Sequence, residues 1–143
     1  MNFQILDHFA PKAQATIFLK NPRTGEEMAA SITLAMPEHP ARRALEIALQ
    51  QRIRAELASN GGKLPPVDEA TALQREIDFL TACTLDWNLR DTDQEPIPPT
   101  PENIREFYAS PRADWVRRQI NVALMDANNF FDELPVNSPS AAA

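Results

Sequence analysis

The chain has 143 residues, and its 14 basic and 20 acidic side chains give a net charge of −6. This length favours one domain, and the acidic total argues against a nucleic-acid-binding protein, because contact with phosphates needs a concentrated basic face. A single cysteine excludes an intramolecular disulfide, three glycines leave no material for a Gly-rich phosphate loop, and no apolar run approaches the roughly 20 residues of a membrane-spanning helix. We therefore expect a protein of a reducing cytoplasm, without a secretion signal.

The N-terminal part of the chain predicts an irregular arm followed by a β-hairpin. Residues 1–14 mix apolar and polar side chains without a period and contain Pro11, so we assign the arm to them. Over 15–36, a β-branched segment, a turn with Pro22 and Gly25 and a strictly alternating segment predict the hairpin. One face of its second strand is apolar and needs a packing partner: Met28, Ala30, Ile32, Leu34 and Met36.

Four helices are predicted after the hairpin, over residues 39–59, 67–87, 101–109 and 111–131. In the long helices, apolar side chains recur at spacings of three and four, which places them on one face. Proline suits the first turn of a helix, where its missing N–H needs no partner, and Pro40, Pro101 and Pro111 stand at three of these starts. Prolines also predict an extended loop before the third helix.

The organisation that these patterns predict is an arm, one globular domain and a tail. The domain covers 15–131, and residues 132–143 are small and polar with two prolines, which predicts a disordered tail. The fold class is α+β and predominantly helical, with an N-terminal hairpin packed on about four helices.

Residues able to perform acid–base or nucleophilic chemistry are few and scattered. His8 lies in the arm, and His39 precedes a helix start, where capping or exposure is the simpler role. Cys83 has no basic residue beside it on its helix that would activate the thiol, so we assign it to the core. The chain therefore offers no catalytic residues that we can name, and we expect no enzymatic activity.

The acidic turn after the second helix is the sharpest candidate for a metal site. Asp91, Asp93, Glu95 and Glu102 follow the spacing of a calcium-binding loop. That loop requires glycine at its sixth position, where this chain has Pro96, and it requires flanking helices. A solvated acidic turn is the favoured interpretation, and we expect neither a metal ion nor a cofactor.

Basic and aromatic residues are the remaining candidates. Arginines stand on the first and last predicted helices: Arg42, Arg43, Arg52, Arg54, Arg112, Arg117 and Arg118. Because acidic residues interleave with them, solvated and partly paired faces are favoured over a nucleic-acid site. The C-terminal half carries the aromatic side chains Trp87, Phe107, Tyr108, Trp115, Phe130 and Phe131. Core packing explains most of them, but Phe130 and Phe131 precede a polar tail, where an apolar pair favours a partner surface.

The order of motifs from Thr81 to Phe131 resembles the small tail assembly chaperones of long-tailed, siphophage-type bacteriophages and prophages. That family shows a Trp at a helix end, an acidic turn leading into a Pro-rich stretch, a Pro-Glu-Asn helix start, and a final helix that opens on Trp-Val-Arg and has a Phe near its end. The matching residues here are Trp87, Asp91–Glu95, Pro101–Asn103, Trp115–Arg117 and Phe130. The hairpin and the helix start His39–Leu45 are also similar to the family, whereas Gln94 stands where its turn often has glycine.

The resemblance implies a non-enzymatic helper that acts in the cytoplasm of the bacterial host and is absent from the mature virion. Such a chaperone binds the helix-rich tape measure protein, keeps it soluble and promotes tail tube assembly. The major tail protein and a frameshift-extended form of the chaperone are further partners that the resemblance suggests, oligomers are compatible with it, and neither nucleic acid nor membrane is expected. We predict a contact surface made by Trp87, Trp115, Val116, Ile120, Phe130 and Phe131.

Two alternatives stay open at this point. The chain could be a small structural tail or connector protein of the virion, which would be found in purified particles. It could also be a DNA-binding regulator, which would bind a duplex in a salt-dependent way. The net charge of −6 argues against the second alternative.

Overall fold

The structure, a computed structural model, describes residues 1–135 and contains four α-helices and five short strands in two small sheets. The elements are β1 (Phe9–Pro11), β2 (Gln14–Lys20), β3 (Glu27–Ala35), α1 (Pro40–Ser59), α2 (Glu69–Cys83), β4 (Thr84–Trp87), α3 (Pro101–Ala109), α4 (Asp114–Met125) and β5 (Phe131–Glu133). The predicted α+β class is confirmed, although the two sheets give the strands a larger part than the single expected hairpin.

The larger sheet has the order β2-β3-β4 and is antiparallel throughout. The alternation predicted for β3 is confirmed, since Ile32, Leu34 and Met36 are fully buried, and Met28 and Ala30 pack against the same core. On the opposite face, the hydroxyl groups of Thr16 and Thr33 share a hydrogen bond of 2.9 Å across the two strands. One face of the hairpin is therefore buried and the other is mostly polar.

The second helix ends earlier than predicted, at Cys83 instead of residue 87. Thr84 turns the chain, and its Oγ1 donates a hydrogen bond of 2.8 Å to the carbonyl of Leu80. The following residues form β4, in which Asp86 and Trp87 pair with β3. Thr84 and Trp87 are three residues apart, a spacing that fits one face of a helix, and the sequence therefore predicts a longer α2. Both are buried in the structure, where the register of the pairing with β3 shifts between Thr33 and Leu34.

The helix starts follow the expected caps. His39 accepts a hydrogen bond of 3.1 Å at Nδ1 from the Ala41 amide, and Pro40 occupies the first turn of α1. At α3, Thr100 accepts a bond of 3.2 Å from the amide of Asn103, and Pro101 follows it. The capping role expected of His39 is thus confirmed.

The final helix is shorter than the predicted 111–131, because turn-forming residues flank it. A 3₁₀ turn covers Pro111–Ala113, and α4 ends at Met125. Asp126 then accepts a bond of 3.0 Å from the Asn128 amide, and Asn129 donates a bond of 3.0 Å to the carbonyl of Ala123. Asp and Asn side chains compete with the helical backbone in this way and end α4.

The arm predicted to be irregular is partly ordered, and it pairs with the start of the predicted tail. A 3₁₀ turn covers Gln4–Asp7, and β1 pairs antiparallel with β5, which brings Phe9 opposite Glu133. Three-residue strands are too short to show a period, so local sequence patterns do not predict them. Residues 136–143, the rest of the predicted tail, lie outside the described part of the chain.

The core lies between the inner face of the three-stranded sheet and α2, α3 and α4. Two arginines expected on solvated faces are buried instead. Arg42 donates to the carbonyls of Leu124 at 2.9 Å and Ala35 at 3.3 Å, which joins the ends of α4 and β3. Arg117 donates to the carbonyls of Tyr108 at 2.7 Å and Ser110 at 3.0 Å, at the end of α3. Cations are favoured at helix C-termini, where unpaired carbonyls concentrate partial negative charge.

Candidate partner-binding surfaces

Three of the six predicted contact residues belong to the core and cannot form a contact surface. Trp87, Val116 and Ile120 are 8%, 2% and 0% exposed. The Trp87 indole Nε1 donates a hydrogen bond of 2.6 Å to the carbonyl of Ile97, and its ring packs edge-on against Phe107 with centroids 5.5 Å apart. The prediction is wrong for these three residues. An apolar stripe on a helix, or a Trp at a helix end, has the same sequence pattern whether it packs in the core or contacts a partner.

The other three predicted residues differ in exposure. Trp115 and Phe130 are half-buried and pack against the core. The guanidinium carbon of Arg42 lies 5.7 Å from the centroid of the Phe130 ring, a cation–π geometry that ties this ring to the fold. Phe131 alone is exposed, with 47% of its surface accessible. The structure therefore separates Phe130 from Phe131, although they are neighbours in sequence.

Phe131 belongs to a group of exposed apolar side chains that sequence reasoning missed. Its ring meets that of Phe9 across the two strands with centroids 6.4 Å apart, and the Leu134 amide donates a bond of 2.9 Å to the His8 carbonyl. We use the name ribbon patch for the exposed apolar side chains of the ribbon and of the segments directly before and after it: Phe3, Ile5, Leu6, Phe9, Phe131 and Leu134, which are 38–68% exposed. The available signal was composition, because Met1, Phe3, Ile5, Leu6 and Phe9 crowd large apolar residues into the first ten positions.

A second surface lies along the outer edge of β2, beside α4. Here a groove of about 520 Å³ is lined by Thr16, Phe18 and Lys20 of the strand and by Arg118, Val122 and Asp126 of or next to the helix. Phe18 and Val122 are 47% and 68% exposed. We call this the edge groove. Sequence reasoning did not foresee it, because it depends on how α4 lies against the sheet.

The titratable groups buried in the core are arranged for packing. Burial raises the pKa of the Cys83 thiol to about 11, an effect to which nearby Glu46 adds and which Arg42 opposes. Burial also raises the pKa of Tyr108, whose hydroxyl shares a hydrogen bond of 2.8 Å with Thr84. Both groups are therefore neutral at physiological pH, and neither is poised as a nucleophile or a base.

The acidic turn uses its first carboxylate to hold its own backbone. Asp91 accepts hydrogen bonds at Oδ1 from the amides of Asp93 at 2.8 Å and Glu95 at 3.0 Å. Arg90 donates a bond of 2.7 Å to the carbonyl of Gln94, which has φ of 64°, a value that favours glycine. Across residues 1–135, no group of three or more His, Cys, Asp or Glu side chains could hold a metal ion.

Over the same described range, no helix is both long and apolar enough to cross a bilayer. Comparisons of the chain with protein-family models, with curated proteins and with solved structures find no match. The residues, their exposure and the resemblance in motif order are therefore the basis for a functional proposal.

Proposed function

We propose that this protein is a phage tail assembly chaperone that acts through apolar contact and catalyses no reaction. It binds the tape measure protein in the host cytoplasm, keeps it soluble and promotes tail tube assembly before leaving the particle. The observation that carries the proposal is the ribbon patch, a set of exposed apolar side chains on a body with a net charge of −6. A chaperone that holds an unassembled client needs an exposed apolar binding surface on a charged, soluble body.

The resemblance in motif order concerns the scaffold more than the contact surface. Trp87 packs in the core, Thr100 caps the helix that opens with Pro101, and Arg117 binds carbonyls at the end of α3. These motif residues position the helices and the sheet. We therefore assign client binding to the ribbon patch, of which Phe131 is the one member among the contact residues predicted from the sequence.

The number of exposed apolar side chains in the ribbon patch suits reversible binding. Full burial of one large apolar side chain contributes about 1.5–3 kcal/mol, and a micromolar dissociation constant corresponds to about 8.2 kcal/mol. Several side chains of the patch could supply this energy against the apolar stripe of a client helix, after the cost of ordering is subtracted. A much higher affinity would oppose the release of the client that tail assembly requires.

Co-expression with the tape measure protein of the same phage or prophage tests the proposal. We expect the soluble fraction of the tape measure protein to rise several-fold when this chain is present. The double variant Ile5→Ser/Leu6→Ser should abolish the rise, because it removes two side chains that are each 68% exposed. The matched control Ile47→Ser/Leu73→Ser alters exposed apolar residues of α1 and α2 and should leave it intact.

Two outcomes would contradict the proposal. An equally soluble tape measure protein with and without this chain would exclude a chaperone role. Stoichiometric presence of this chain in purified virions would instead indicate a structural tail or connector protein.

A further inference from the structure

The outer edge of β2 is closed at both ends and open in the middle. At one end, Gln119 forms two hydrogen bonds of 2.8 Å with the amide and the carbonyl of Lys20, in the manner of a neighbouring strand. At the other end, the amide of Lys12 donates a bond of 2.7 Å to the carbonyl of Phe130. Thus α4 and the turn after it cover the two ends of this edge.

Three residues between these closures present unpaired backbone groups. Alternate residues of an antiparallel strand point their N–H and C=O groups to the same side, so Gln14, Thr16 and Phe18 face the same edge as Lys20. Within residues 1–135, no hydrogen bond satisfies those backbone groups. Native proteins usually cover or charge such an edge, because it is a template for another strand.

The edge groove runs alongside these open groups. Its helical wall presents Val122, which is 68% exposed, and Ala123, followed by the carboxylate of Asp126 near the Gln14 end. Asp126 forms no ion pair within the described part of the chain. The groove thus combines strand-like hydrogen-bonding groups, an apolar wall and, at Asp126, a carboxylate without an ion pair. The other charged side chains of its lining are Lys20, Glu27 and Arg118.

We propose that the edge groove binds a short extended segment of another polypeptide as an added strand, antiparallel to β2 over Gln14–Phe18. Backbone groups at strand spacing recognise an extended chain, and pockets for alternate side chains provide selectivity. The segment carries an apolar side chain over Val122 and a basic side chain near its C-terminal end, opposite Asp126. This site is separate from the ribbon patch and does not depend on the chaperone proposal.

The closures at the two ends favour a short segment over a second copy of this chain. Symmetric pairing of two β2 strands about Thr16 would place Lys20 of one copy opposite Lys12 of the other. The backbone groups at those positions already bind Gln119 and Phe130, so the two closures would occupy the same space. About five residues of an extended chain, at roughly 3.4 Å each, fit between them.

The test is an NMR titration of the ¹⁵N-labelled protein with the peptide acetyl-Thr-Val-Thr-Lys-Ala-amide, whose valine and lysine lie on the same face of an extended strand. We expect millimolar binding, with the largest shifts at the amides of Gln14, Thr16 and Phe18. A peptide with proline in place of both threonines lacks the required N–H groups and should not bind. Replacing its lysine by glutamate should weaken binding several-fold.

Variants of the protein separate the groove from nonspecific apolar contact. Val122→Asn should reduce peptide affinity by about tenfold, because it puts a polar amide into the apolar wall without adding a charge that attracts the lysine of the peptide. Ile47→Asn, a matched change at an exposed helical position on α1, should leave the affinity unchanged. Both variants should keep the wild-type spectrum elsewhere.

Three results would overturn the proposal. The first is the absence of shifts at these amides up to several millimolar peptide. The second is equal binding of the proline peptide. The third is a change in the chemical shifts of the same amides when the protein alone is diluted. Such a change would show that a second copy of this chain occupies the groove.

Discussion

The core and the two-stranded ribbon of β1 and β5 use similar apolar side chains in opposite ways. In the core, Ile32, Leu80, Ile120 and Leu124 are fully buried. In the ribbon, every residue of β5 is exposed, and both strands have only three residues. Since burial of apolar area drives folding, the core supplies most of the stability, whereas the apolar side chains of the ribbon are free to contact another molecule.

The ribbon is held by a few local interactions. Its ladder is supplemented by an ion pair of 3.6 Å between Lys12 and Asp132 and by the edge-on contact of Phe9 with Phe131. An exposed ion pair contributes about 1 kcal/mol or less, and isolated two-stranded ribbons are marginal in water. We therefore expect the ribbon to open locally without unfolding of the core.

Thiol labelling should give the largest difference between the two regions. At pH 8, Cys83 should react with a maleimide at least 10³-fold more slowly than Phe131→Cys in a Cys83→Ala background, because it is buried and few thiolates form at a pKa of about 11. This pKa lies above the ordinary value of 9.0, so the fold favours the neutral thiol over the thiolate. The contribution of the neutral thiol to the free energy of unfolding is complete below pH 9 and is lost as the pH rises through about 11. Equal labelling rates would show that the core opens as readily as the ribbon.

Truncation of apolar side chains compares the regions directly. Leu124→Ala should lower the free energy of unfolding by about 3–5 kcal/mol, since it leaves a cavity in the core. Phe9→Ala, at a position that is 51% exposed, should cost less than about 1 kcal/mol. Urea denaturation followed by circular dichroism measures both. Similar losses would contradict the assignment of stability to the core.

Substitution of the adjacent residues Arg117 and Arg118 compares a buried with an exposed charge. Arg117→Lys should cost about 1.5–3 kcal/mol, because one buried Nη1 binds two carbonyls and an ammonium cannot reproduce that geometry. Arg118→Lys, whose side chain is 80% exposed, should cost less than about 0.5 kcal/mol. A large loss from the second change would require a role for Arg118 that its single ion pair with Asp114 does not explain.

Glycine in the acidic turn, which lies outside both regions, should have a small effect on stability. Gln94→Gly should stabilise the protein by about 0.5 kcal/mol, because relief of the left-handed backbone exceeds the added freedom of the unfolded chain. Gln94→Val should destabilise it by about 1–2 kcal/mol. Thermal unfolding at one pH distinguishes the three proteins, and a destabilising glycine would contradict the backbone argument.

The features predicted correctly from sequence depend on neighbouring residues, and the missed ones depend on distant pairing. The alternation of Met28–Met36 and the caps at His39 and Thr100 are local signals, and the structure contains them. The strand β4 and the ribbon exist because segments far apart in sequence pair with each other. Periodicity cannot report such pairing.

The candidate site was harder to predict than the fold, because exposure is a property of the assembled core. Val116 and Ile120 form an apolar stripe that fits a partner surface and a buried face equally well, and the structure buries them. The apolar residues of the arm have no period, so no element was predicted for them. Their exposure is a property of the folded chain, in which β1 pairs with β5.

Hydrogen–deuterium exchange, measured on this protein alone and with the tape measure protein, locates the surface that a bound client covers. If the ribbon patch binds the client, amides of residues 3–11 and 130–134 should exchange rapidly in the free protein and become protected in the complex. Amides of the exposed face of α1 should not change. Protection confined to other surfaces, or no protection while the client stays bound, would contradict the account.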